Sequence, residues 1–343
     1  MPMSFSQTLL VWYDANRRSL PWRGESDPYR IWLSEIMLQQ TRTETVERYY
    51  RVFLERFPNV QALAAADEAE VLKLWEGMGY YSRARNLHRA AKVVANELDG
   101  VFPSSANDLR RLPGVGPYAS GAIASIAFGE CVPALDGNQA RVLSRVTACS
   151  RVLKTPSELM PEAMELIDPE RPGDYNQALM DLGASICLPR QPRCDSCPVR
   201  SFCRAIQEGD PEDYPILPPP IVKREEARTV ALVLVRGRLA VRQRPDKGLL
   251  ANLWEFPNYD GDLDERQIEE ALQGDGVSAP QWQRELPAAK HVFTHLIWRM
   301  QGQLLTAASI PDGWRSVDAS GLRALAFPSA FRRYREIAED LLK

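Results

Sequence analysis

Four cysteines fall in the pattern Cys187-x6-Cys194-x2-Cys197-x5-Cys203. Thiolates this close along a chain hold an iron–sulfur cluster or a structural zinc, and the spacing alone leaves both open. Upstream lies Leu112-Pro113-Gly114-Val115-Gly116, with Pro117 and Tyr118 after it. Its two glycines let the backbone turn tightly and approach another molecule. The helix opening at Pro117 turns its first N–H groups outward, where a phosphate fits. The same string also serves as an ordinary connection between helices. Two carboxylates complete the set. Glu35 lies among Ile31, Trp32, Leu33, Ile36, Met37 and Leu38, and apolar surroundings raise a carboxyl's pKa and suit it to general-acid work. Asp136, in Leu135-Asp136-Gly137-Asn138, opens a helix, where N–H bonds and the dipole favour its charged form. The pattern predicts two pKa values pushed apart, one proton donor and one anionic stabiliser. Cleaving an N-glycosidic bond needs both. Taken alone, Glu35 also reads as a surface residue of an amphipathic helix and Asp136 as a plain cap.

These groups need a scaffold. At 343 residues the chain is long enough for two or three domains with cores of their own. Its net charge of −3 confines any nucleic-acid surface to a local patch. The N-terminus shows no charged region followed by a long apolar one, and no run of about 18 apolar residues occurs, so a cytoplasmic protein is expected. Cys131 and Cys149 read as small buried hydrophobes. From about 5 to 205 the apolar spacing is helical almost throughout, with Asp27-Pro28 as a strong helix start. Residues 207–228, with Leu217-Pro-Pro-Pro220, read as a semi-rigid linker. Beyond it the period drops to two. Thr229–Val235, a turn at Arg236-Gly237 and a strand from Leu239 predict a β-hairpin, and Val292–Leu305 another strand. Helical patterns at 264–273 and 328–342 make this part α+β. Arg83, Arg85, Arg89 and Lys92, and Arg190, Arg193, Arg200 and Arg204 around the cysteines, are candidate phosphate contacts.

Longer strings carry a resemblance. Leu20-Pro-Trp-Arg23, Asp27 to Thr41, Trp75 to Leu87, the hairpin, Leu135 to Asn138, Asn176 to Gly183, the cysteine loop, Gly248 to Pro257 and Phe293-Thr294-His295 all resemble adenine DNA glycosylases of the MutY type, within the helix–hairpin–helix base-excision superfamily. The resemblance implies a mainly α, two-lobed helix–hairpin–helix glycosylase domain with an iron–sulfur loop over 1–206. Within it a six-helix module spans about 27–132 and an iron–sulfur module about 1–26 and 133–206. An α+β Nudix-like domain follows over 229–343. It implies that Glu35 protonates adenine, that Asp136 stabilises or attacks the sugar cation, and that Tyr118 and Asn138 assist. Trp22, Arg23, Leu38 and Gln177 fall where the family lines its adenine pocket. Gln40 and Tyr80 would wedge into the duplex while adenine is flipped out, with Gly114 and Gly116 on the backbone. The four cysteines would carry a [4Fe–4S] cluster.

Two departures carry information. Endonuclease III-like members, which also cut the strand, place a lysine after the hairpin glycines; here Tyr118 stands there, and a phenol forms no imine. The Nudix catalytic box is missing after Pro257, which removes the carboxylates a magnesium hydrolase needs. The family reads 8-oxoguanine with a Phe-Ser-His loop, here Phe293-Thr294-His295. His291 and His295 lack the cysteine partners of a zinc site. The expected partner is duplex DNA with adenine opposite 8-oxoguanine or guanine, bound by a monomer.

Overall fold

Asp27 caps the helix that carries Glu35: its carboxylate accepts the Tyr29 N–H at 2.9 Å, and Pro28 takes the first helical position, where no N–H is needed. The structure is a computed structural model and describes residues 2–220 and 222–343. Met1, and Ile221 within the linker read from sequence, lie outside the described residues. Among the described residues twelve α-helices come first: α1 (Phe5–Asn16), α2 (Pro28–Leu38), α3 (Thr43–Arg56), α4 (Val60–Ala65), α5 (Glu68–Leu74), α6 (Ser82–Glu97), α7 (Ala106–Leu109), α8 (Pro117–Phe128), α9 (Gly137–Thr147), α10 (Met160–Leu166), α11 (Pro172–Ser185) and α12 (Arg204–Glu208). Among the described residues no helix is long and apolar enough to cross a membrane.

The chain divides into two units, one running to Ala66 and over Asn86–Pro219, the other comprising Asp67–Arg85 and the chain from Pro220. In the first, α1, α9 and α11 share a core of Leu9, Tyr13, Leu143, Tyr175, Leu179 and Leu182. α8 packs on α2 and α11 and is buried over most of its length, as its Ala-, Gly- and Ser-rich sequence allows.

The second unit is built on a sheet of order β3-β2-β1-β6-β5, from β1 (Arg224–Val235), β2 (Arg238–Gln243), β3 (Trp254–Glu255), β4 (Asn258–Asp260), β5 (Gln281–Val292), β6 (Leu296–Thr306) and β7 (Arg315–Val317); β4 pairs with β1 and β7 with β2. α13 (Glu265–Gly274), α14 (Ala319–Ala324) and α15 (Arg332–Leu341) complete it. β1 is buried on both faces by alternation: Val230 and Leu232 join Trp298, Phe331 and Tyr334, while Ala231 and Val233 join Ile268 and Leu272 of α13.

The structure changes three readings. Val292–Leu305 is not one strand: β5 ends at Val292, β6 starts at Leu296, and Phe293-Thr294-His295 is the turn between them. β1 starts at Arg224, inside the linker read over 207–228, because its first residues pair with β6 from Leu296 on. Residues 67–85, part of the helical domain read over 1–206, group by contacts with the second unit, through bonds to Ala251, Leu325 and Phe327. Cys131 is exposed, while Cys149 is buried.

Candidate active site

Glu35 is only 4 % exposed, in the middle of α2. Burial pushes its carboxyl up, against a hydrogen bond from Tyr118 and the charge of Arg23, and the nearby Asp136 charge pushes the same way as burial. Tyr118, in the first turn of α8, donates its hydroxyl to Glu35 Oε2 at 2.6 Å. Burial raises the phenol well above its ordinary value, so it remains a donor.

Asp136 is the N-cap of α9 and accepts the Gln139 N–H at 2.8 Å. Asn138 Nδ2 donates to its other oxygen at 3.3 Å, and Arg141 holds Asn138 Oδ1 at 3.0 Å while also binding the carbonyls of Gly183 and Cys187. The sequence predicts an Asp136 shifted towards its charged form. In the structure burial raises it too, and the N–H bonds from Gln139 and Asn138 and the Arg141 charge pull it back. The cap is present as read; its depth in the protein is what the sequence does not show.

Two of the four pocket candidates, Arg23 and Gln177, meet in one network. Arg23 donates to Gln177 Oε1 and, at 2.8 Å, to Asp181 Oδ1. Asp181, 1 % exposed, also holds Arg18 at 2.7 Å. Gln177 is buried, not on a solvated helix face. Trp22 is buried edge-on against Tyr50, ring centres 5.4 Å apart, and Leu38 is half-buried. Asp181 and Arg18 escaped the sequence reading, because their partners lie more than 150 residues away along the chain.

The hairpin forms as read. Gly114 sits at φ +77°, and a Cβ there would come 2.6 Å from Asn86 Cβ, so both backbone and packing require glycine. Gly116 is the N-cap of α8, with open space where a Cβ would be. Gln40 (φ +57°) and Tyr80 (φ +48°) are both exposed and both left-handed, an uncommon state for non-glycine residues. Several of the basic candidates have partners within the protein. Arg83 is 9 % exposed with its guanidinium over the rings of Trp75 and Tyr80, and Arg85 donates to Ala251 O at 2.7 Å. Arg200 and Arg204 pair with Asp195 and Glu208.

Cys187, Cys194, Cys197 and Cys203 line one cavity, with Arg145, Ile186, Pro192 and Ile206. None of the four is in a disulfide. Arg145 Nη1 donates to Cys187 Sγ at 3.3 Å, and its carbonyl accepts from Cys203 Sγ at 3.5 Å. Among the described residues no three His, Cys, Asp or Glu side chains converge on a single ion. In the second unit, Phe293 meets His291 and Trp298 edge to face, with ring centres at 4.5 and 4.9 Å, while Thr294 and His295 are exposed at the tip of the β5–β6 turn.

A buried acid against a helix–hairpin–helix, with a four-cysteine loop, defines a base-excision DNA glycosylase. Residues 33–169 match the HhH-GPD superfamily of base excision DNA repair proteins, and 229–336 match the NUDIX domain. The adenine DNA glycosylase of Homo sapiens is 36% identical over 402 residues, 96% of this chain and 73% of that protein. The one from Buchnera aphidicola subsp. Schizaphis graminum is 33% identical over 295 residues, 85% of this chain and 84% of that one. Among solved structures a thermostable thymine-DNA glycosylase superposes with a TM-score of 0.56 at 31% identity, over 60% of this chain and 96% of that one. The chain belongs to the adenine DNA glycosylase family. It is a DNA glycosylase of base excision repair, a hydrolase of N-glycosyl bonds.

Proposed function

We propose that the protein removes adenine mispaired with 8-oxoguanine, or with guanine, from duplex DNA, and does so without cutting the strand. The observation that carries this is the buried Glu35 held by Tyr118 at 2.6 Å, with the capped Asp136 close enough to raise its pKa. Flipped adenine would enter among Trp22, Arg23, Leu38 and Gln177. Glu35 protonates the base, the bond from sugar to base breaks with its electron pair leaving on adenine, and the sugar becomes cationic. Asp136 stabilises that cation, or adds to it in a transient covalent step, until water completes the hydrolysis. Asn138 orients Asp136, and Tyr118 orients Glu35. Gln40 and Tyr80 would each wedge into the duplex, and the hairpin at Gly114 and Gly116 would grip the backbone.

Phe293-Thr294-His295 would read the opposite base, its exposed hydroxyl and imidazole set at a turn tip beside the edge-to-face contact of half-buried Phe293 with buried Trp298. The cysteines suit a [4Fe–4S] cluster better than a zinc ion, since four thiols surround a cavity instead of meeting at a point. Such a cluster would tie the loop from Cys187 to Cys203 into one rigid element. Tyr118 in place of an amine leaves no imine route to strand cleavage.

The test is purified protein on duplexes with adenine opposite 8-oxoguanine, guanine or thymine, with and without alkali. Release should be fastest opposite 8-oxoguanine, slower opposite guanine and absent opposite thymine, with strand breaks only after alkali. Equal release opposite 8-oxoguanine and thymine would refute the proposal.

A further inference from the structure

The second unit holds Tyr80 from both sides. On one flank, Glu76 Oε1 accepts the Phe327 N–H at 2.9 Å and a charged bond from Arg335, and Glu76 Oε2 accepts Lys73 Nζ at 2.5 Å. Lys73 also donates to Leu325 O at 3.1 Å. On the other flank, Tyr81, 3 % exposed, donates its hydroxyl to Phe327 O at 3.1 Å and accepts the Gly77 N–H at 3.3 Å. Phe327 thus gives its N–H to one side of Tyr80 and its carbonyl to the other. The Phe327 loop is itself tied to the sheet, since Ala326 O accepts the Trp254 N–H at 3.0 Å. Two more bonds close the segment: Arg85 to Ala251 O at 2.7 Å and Asn252 Nδ2 to Glu68 Oε1 at 2.7 Å. Between these fixed points Gly79 and Tyr80 lie at φ +73° and +48°. A left-handed tyrosine is strained and persists only where its surroundings over-determine it. Arg83 backs the ring, its guanidinium carbon 5.5 Å from the Tyr80 centroid.

We propose that Glu76, Tyr81 and Arg335 are positioning residues for Tyr80, so that the C-terminal part of the chain both reads the base opposite adenine and sets where the tyrosine stands. This rests on the reading of Tyr80 as a wedge in the duplex. The anchors touch no reacting atom. Their loss should therefore weaken engagement of the mispair and leave the chemical step alone.

The experiment uses the full chain and a duplex carrying 2-aminopurine beside the mispair, whose fluorescence rises when its neighbours unstack. Tyr80→Ala should suppress that rise. Tyr81→Phe and Glu76→Gln should each reduce it and weaken mispair binding by about 3- to 10-fold, the scale of one lost hydrogen bond. The single-turnover rate at saturating enzyme should stay within about twofold. In a Tyr80→Ala background neither change should add anything, because both act through that ring. Effects that persist undiminished in that background would mean the anchors are merely structural and would overturn the inference. If Tyr80→Ala suppresses the signal and the anchor variants leave it at the wild-type level, the inference fails and the wedge reading stands. If Tyr80→Ala itself changes nothing, both fall. Should Glu76→Gln lower the melting temperature sharply, Tyr81→Phe, which removes one hydroxyl, decides alone.

Discussion

Replacing Glu35 by glutamine should silence the enzyme and, above acid pH, stabilise its fold. The amide keeps the shape and still accepts the Tyr118 hydroxyl, which now lies 2.6 Å from Oε2. It has no proton to give. A positioned general acid contributes about 10²- to 10⁴-fold, or about 3 to 5 kcal/mol, so single-turnover adenine release should fall at least that far while mispair binding persists. Stability follows from the sign of the pKa shift. Burial raises the folded Glu35 carboxyl above its ordinary 4.5. Between that value and the raised one, the folded chain keeps a proton that the unfolded chain has released. Stability therefore falls as pH rises through this window, and remains lowered above it. Each unit of the raise is worth about 1.4 kcal/mol. Glutamine removes that loss, so Glu35→Gln should melt progressively higher than wild type as pH is raised from about 4 towards neutral, with the gap constant once the folded carboxyl has ionised. The assays are quenched single-turnover kinetics and thermal melts across pH. Near wild-type release, or a melting difference that does not grow with pH, would refute a buried, protonated acid at this position.

Three further outcomes are expected. Tyr118→Lys should create an amine beside the sugar carbon, read as borohydride trapping on DNA; wild type trapping as well as the variant would count against a hydrolase without lyase chemistry. Protein purified anaerobically without added metal should be brown and carry roughly four irons per chain, whereas zinc-loaded protein would contradict the cluster. Thr294→Ala should reduce the preference for 8-oxoguanine over guanine by about 0.5–1.5 kcal/mol, the scale of one hydrogen bond, measured as the ratio of dissociation constants for the two mispairs; an unchanged ratio would move recognition away from that turn.

What the sequence reveals is local. Asp27-Pro28 marks a helix start because cap and first-turn preferences act within a few residues. Arg236-Gly237 marks a hairpin because both take left-handed φ between paired strands. β5 escapes notice because Leu286 is its one buried residue, so alternation is absent from its sequence, and only its pairing with β6 defines it. The membership of residues 67–85 is equally invisible: their helical spacing describes the segment, while bonds to residues about 170 to 260 positions away decide where it packs. In the site, Glu35 and Asp136 are legible from residue type and context. The network around Asp181 is not, since Arg18 and Arg23 reach it across tertiary structure alone.

The two carboxylates show that context read from sequence does not by itself separate their pKa values. Burial raises both. What differs is the company each keeps. Asp136 has N–H bonds from Gln139 and Asn138, the Asn138 amide and the Arg141 charge, all favouring its ionised form. Glu35 has one phenol and the Arg23 charge in its favour, and Asp136 against it. An ionised Asp136 therefore helps hold the proton on Glu35, and Arg141, which fixes Asn138 and binds the Cys187 carbonyl, keeps that anion in place. In the proposed mechanism the division of labour would follow from unequal hydrogen bonding within one buried pocket: the more heavily hydrogen-bonded Asp136 would meet the sugar cation, and its charge would favour the proton on Glu35.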